Sequence, residues 1–179
     1  MQKLVLLFGL MLVLSVRAAA EDVTWKEFVY PDDNFAISAP GEPTLEMKTL
    51  NTAGGSAEAH VYAMPTGGNG AFMVVVHTRR DSDQRSTQEI LDEARVGVLR
   101  EANAMVLVQS NVSLGPYRGA QLELRSTGTD GNTKRVSDRF YIVGRKLYQL
   151  VALAPAGEPL PAASERWFDS FRLLGGKAP

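Results

Sequence analysis

Two histidines, His60 and His77, are the side chains in this sequence best suited to acid–base or metal chemistry, and each lies on one of two neighbouring apolar runs. Imidazole titrates near neutral pH and ligates zinc, so the pair raises a His-dependent metal enzyme with Asp81 or Asp83 as third ligand. The pattern argues against it. Two ligands from adjacent strands, with no third at a fixed spacing, do not close a metal site. His77 shares its face with Met73 and Val75, which marks a strand-end residue with one hydrogen bond.

Other chemistries lack their parts. Gly54-Gly55-Ser56 is not a G-x-S-x-G elbow, and nothing around it predicts strand–turn–helix. Asp32-Asp33, between Pro31 and Asn34, reads as turn chemistry and not as a carboxylate dyad. "TDGNTK" offers too few spaced oxygens for a calcium loop, and "GGNG" has no phosphate-binding lysine. There is no cysteine, hence no thiol nucleophile, no Cys zinc site and no disulfide. No catalytic residue, metal site or cofactor is assigned. "TRRDSDQR" (Thr78–Arg85) mixes its charges, the pattern of a solvated loop leading to a helix. Asn111-Val112-Ser113 fits a glycosylation acceptor but falls inside a predicted strand.

The chain has 179 residues. Its start, "MQKLVLLFGLMLVLSVRAAAED", has a positive Lys3, an apolar run from Leu4 to Val16 and an Ala18-Ala19-Ala20 cleavage site. That is a secretory leader, expected to be removed after Ala20. The apolar run rises only about 20 Å as a helix, short for a bilayer core. Residues 21–179 then form one domain, periplasmic or secreted, with no membrane insertion after cleavage. Without Lys3 and Arg17, 17 basic residues stand against 20 acidic ones, a net charge of −3. That balance gives no support for nucleic-acid binding.

The elements follow from periodicity. Strands are predicted at Val23–Tyr30, "FAISAP", Leu45–Leu50, Ala57–Met64 and Ala71–Thr78, the last apolar on both parities as a doubly covered strand should be. Ser86-Thr87-Gln88-Glu89 has capping-box form and opens a helix over 87–102, with Ile90, Leu91, Ala94 and Val98 on one face. Four more strands follow at Met105–Leu114, Tyr117–Thr127, Lys134–Val143 and Lys146–Ala154, the last two joined around Gly144. A second helix is predicted over Ala162–Phe171, docked by Trp167 and Phe171 at i and i+4. Hairpin connections make this an α+β fold, a mainly antiparallel β-sheet with two helices packed on it.

Two stretches together carry a resemblance. "WKEFVYPDDNFAISAPGEP" near the start pairs an aromatic strand with a turn and a Pro-bounded strand. "RFYIVGRKLYQLVALAP…ERWFDSFRLL" near the end gives strand, Gly turn, strand, loop and aromatic helix. The chain resembles the PsbP-like group of small exported domains, which includes the bacterial DcrB-like proteins. That resemblance implies an α/β/α sandwich and a non-catalytic role in assembling or stabilising larger complexes. No family site transfers residue by residue.

The expectation is therefore a non-enzymatic exported accessory domain that binds an envelope or secreted protein partner. Its candidate surface is the wet face of Tyr117–Thr127 and the following hairpin: Gln121, Arg125, Arg135, Arg139 and Tyr141. The alternative is a small-molecule binder with a pocket between sheet and helix, lined by Trp25, Phe28 and Trp167.

Overall fold

In the computed structural model of the chain, the described residues are 24–52, 55–66, 70–80, 82–101, 103–127 and 131–175. The expected leader at 1–20, Asp81, Ala102 and most of the "GTDGN" turn lie outside them. Ten strands and two helices follow in order: β1 Lys26–Tyr30, β2 Phe35–Ala39, β3 Thr44–Thr52, β4 Gly55–Pro65, β5 Ala71–Thr78, α1 Thr87–Glu101, β6 Ala104–Leu114, β7 Tyr117–Thr127, β8 Thr133–Val143, β9 Lys146–Pro155, α2 Ser164–Asp169 and β10 Arg172–Leu173.

Seven strands form the central sheet in the order β3-β4-β5-β9-β8-β7-β6, and every neighbouring pair is antiparallel. Two runs of hairpins, β3 to β5 and β6 to β9, meet along β5 and β9, while α1 carries the chain from β5 to the far edge. A smaller sheet, β1-β2-β10, and α2 cover one face; α1 covers the other. The layers match the sandwich expected from the sequence.

Each layer has its own core. Under α2, Phe35, Phe72, Tyr148 and Leu150 meet Trp167, Phe168 and Phe171. Phe72 and Trp167 stack 4.9 Å apart at 8°. Trp167 is fully buried, and Trp25 and Phe28 are packed against the same cluster. Under α1, Ile90 and Leu91 pack on Ala120, Leu122, Leu124, Phe140 and Ile142.

The N-terminus of α1 is built as its sequence predicts. Glu89 N–H donates to Ser86 Oγ at 3.3 Å, and Ser86 N–H donates back to Glu89 Oε2 at 2.7 Å. The second helix is shorter than predicted. It ends at Asp169 because Ser170 Oγ takes the Ser38 N–H at 3.0 Å, which turns the chain so that Arg172–Leu173 pairs with β2. Phe171 is still buried, but from beyond the helix.

Gly119 on β7 is a close-approach site. A Cβ there would lie 2.3 Å from Phe140 O and 2.6 Å from the Tyr141 ring. The missing side chain lets that ring lie across β7 and stack at 9° on Phe171.

Candidate functional site

The two histidines cannot share a metal. His60 lies opposite Val76 and His77 opposite Ala59. Opposed residues in an antiparallel pair share a face, so the imidazoles, one step out of register, point to opposite faces. This corrects the metal-enzyme alternative: His60 faces the β1-β2-β10 layer and His77 faces α1. Among the described residues, no group of three His, Cys, Asp or Glu side chains is placed to hold a metal ion.

His60 instead joins a cluster around a buried carboxylate. Asp33, in the turn between β1 and β2, is 3% exposed. Its Oδ2 lies 2.6 Å from His60 Nδ1 and accepts from Tyr62 OH at 2.7 Å, and its Oδ1 accepts from Lys146 Nζ at 2.9 Å. Tyr148 OH donates to the Asp33 carbonyl at 2.8 Å, and Lys146 also donates to the Asp32 carbonyl at 2.7 Å. Burial alone would raise the Asp33 pKa. The hydrogen bonds from Lys146, Tyr62 and His60 outweigh it and hold the carboxyl below its ordinary range. The carboxylate raises Tyr62 in turn, after burial as the larger cause. These contacts tie the turn to β4 and β9.

The polar interruptions of the β8–β9 hairpin also turn inward. Arg139 Nε donates to Gln121 Oε1 at 2.9 Å, its Nη2 to Glu165 at 2.8 Å, and its guanidinium lies 4.3 Å over Phe168. Tyr141 is 5% exposed. Of the five candidate partner residues, Arg139 is thus engaged by α2, Gln121 is bound to Arg139, and Tyr141 stacks on Phe171. On the α1 side, Gln149 Nε2 donates to Asp138 Oδ2 at 2.7 Å, while Asp138 Oδ1 is buried without a partner. Burial drives the Asp138 carboxyl up to about 8, against the smaller opposing effect of Gln149.

Arg125 and Arg135 remain exposed, directly opposite one another on β7 and β8. Neither has an ion-pair partner among the described residues. With Lys134 and Leu107 they border a surface depression of about 630 Å³. Arg125 also lies opposite Met105 on β6, which brings the basic corner to the edge of the sheet.

That edge is the feature the sequence reading missed. Met105, Val106, Leu107 and Val108 are 54%, 38%, 41% and 56% exposed. The register shifts between Val106 and Val108, so a bulge at Leu107 turns apolar side chains to both faces. β6, "AMVLVQSNVSL", has no charged residue and no proline to discourage pairing, whereas the opposite edge β3 carries Glu46 and Lys48. The uncharged run was the available signal. The Asn111 sequon sits in this strand, where its side chain accepts from Arg95 at 3.3 Å.

"TRRDSDQR" is more ordered than a solvated loop. Arg85 Nε and Nη2 fork onto Asp83 at 2.8 and 2.6 Å, Arg85 Nη1 reaches Glu93, and Arg79 Nε meets Asp83 at 3.2 Å. The Arg85 hydrogen bonds hold the Asp83 carboxyl far below its ordinary range.

The architecture defines the class: a three-layer sandwich on an antiparallel sheet, with a hydrophobic core on each face. The particular fold is that of PsbP. The solution structure of cyanobacterial PsbP (CyanoP) from Synechocystis sp. PCC 6803 superposes with a TM-score of 0.53 at 11% identity, covering 89% of this chain and 98% of that one. A Bacteroides thetaiotaomicron VPI-5482 crystal structure gives 0.50 at 14%, covering 86% of this chain, which spans about half (51%) of that protein. No protein-family model matches the sequence, and no curated protein does. Among the described residues, no helix is long and apolar enough to cross a membrane.

Proposed function

We propose that this protein is a non-catalytic, exported accessory domain that accepts an extended segment of a protein partner along the free edge of β6. The observation that carries the reading is the exposed apolar run Met105–Val108 on an edge strand without a charged residue. Such an edge presents unpaired N–H and C=O groups together with side-chain contacts, the two elements of strand addition. The corner beside it sets the chemistry of the partner. Arg125 and Arg135 oppose like charges across a strand pair, and a carboxylate lying between them relieves that repulsion. The partner segment is therefore apolar in alternation and acidic at one end. The leader-like stretch at 1–20 supports export, and the internal use of Asp33 and Arg139 supports a structural role for the polar clusters.

The test is a photo-crosslinking side chain at Val108 in the full chain, expressed in its native host, with Val96 on α1 as control. Val96 is equally exposed, at 59%. The reading expects a discrete adduct at Val108 that is lost in Val106→Lys and reduced in Arg125→Glu/Arg135→Glu. Equal labelling at Val108 and Val96, or an adduct indifferent to those substitutions, refutes it. An adduct at twice the mass of the chain makes the partner a second copy and overturns the acidic-partner assignment.

A further inference from the structure

We propose that the cavity between α1 and the central sheet binds a small organic monoanion, a carboxylate with a short apolar body. The site is independent of the β6 edge. Its volume is about 110 Å³, and its walls are Val75, Ile90, Val98, Phe140 and Leu147. Two features show that this space is not a packing remnant awaiting a larger side chain. Gly97 faces it from the middle of α1, where glycine weakens a helix, yet a Cβ at Gly97 would meet no atom within 4 Å. His77 lines it, and its imidazole makes no hydrogen bond to a described residue while its ring nitrogens stay open to whatever fills the space.

Charge selects the ligand. Arg79 and Arg85 are matched by Asp83 and Glu93 through the contacts described above. Arg100, also on the wall, has no ion-pair partner among the described residues, which leaves one positive charge in surplus. Burial lowers the His77 pKa, so that ring contributes a hydrogen bond and not a second charge. Gln149, committed through Nε2 to Asp138, also lines the space. One carboxylate balances Arg100, and the apolar walls take an alkyl body. A cavity of about 150 Å³ takes benzene, with six heavy atoms, so this one suits roughly four or five, the four carbons of butyrate with its two oxygens at the mouth beside Arg100.

The experiment titrates isotope-labelled protein with sodium butyrate, butylamine hydrochloride and sodium phosphate, and follows the His77 and Gly97 resonances by NMR. Saturable shifts at both with butyrate alone are expected. Gly97→Leu, which fills the space and strengthens the helix, should abolish the response without lowering the melting temperature. Arg100→Gln at the surface should weaken butyrate about tenfold, the effect of one charge-assisted hydrogen bond. Absence of a saturable shift at His77 and Gly97, an equal response to butylamine or phosphate, or an undiminished response in Arg100→Gln overturns the proposal.

Discussion

Asp138→Asn should stabilise this protein, increasingly so as pH rises. Asp138 is 1% exposed between β8 and α1, with one hydrogen bond and one unpartnered oxygen. Its carboxyl is pushed up to about 8, whereas in the unfolded chain it titrates near ~3.9. Between those values the folded state holds a proton that the unfolded state has released, so stability falls as pH rises. At about 1.4 kcal/mol per unit, the penalty reaches about 4 kcal/mol at pH ~7. Asparagine removes that penalty but adds a buried amide donor without a partner, which costs about 1–2 kcal/mol. The net gain is about 2–3 kcal/mol near neutrality, or roughly 4–12 °C in Tm for a domain of this size. Urea unfolding of both proteins at several pH values from ~4.5 to ~8 reads the difference directly. The variant should be no more stable than the parent at the acid end and clearly more stable at the basic end. A difference that stays constant across the range refutes the protonated carboxyl.

Two further substitutions test the scaffold. Asp33→Ala leaves Tyr62 and Lys146 without their shared acceptor and should cost about 3–5 kcal/mol at pH ~7 by chemical denaturation. Because the Asp33 pKa is depressed, its contribution is present above the unfolded value and is lost as pH falls through the folded one, so the gap to the parent should close on acidification. A gap that persists at acid pH would contradict the ionised cluster. Gly119→Ala forces a methyl group against Phe140 O and the Tyr141 ring and should cost at least about 2 kcal/mol; an unchanged melting curve would show that β7 and β8 are not in such close contact.

Much of the fold was legible because its signals are local. Ser86 and Glu89 fixed the start of α1, and Ala71–Thr78 announced a buried strand through apolar residues on both parities. The two-residue β10 had no periodicity to read, and its pairing with β2 depends on Ser170 meeting Ser38 across 132 positions. The Asp33 cluster was hidden for the same reason, with partners 27 and 113 positions away. Arg139 and Gln121 looked like a wet surface because alternation reveals which residues share a face, not what later covers it. The exposed run at Met105–Val108 was the converse case. An apolar strand suggests burial, and only the strand order showed that β6 has no neighbour on one side.

The pairing of β10 with β2 also bears on how the chain is made. The hairpins β3 to β5 and β6 to β9 join residues close in sequence and can form as soon as they are synthesised. The small sheet cannot, since Leu173 must arrive to sit beside Phe35, and with it come the aromatic anchors Trp167 and Phe171. Until α2 and β10 are made, one face of the central sheet lacks its cover.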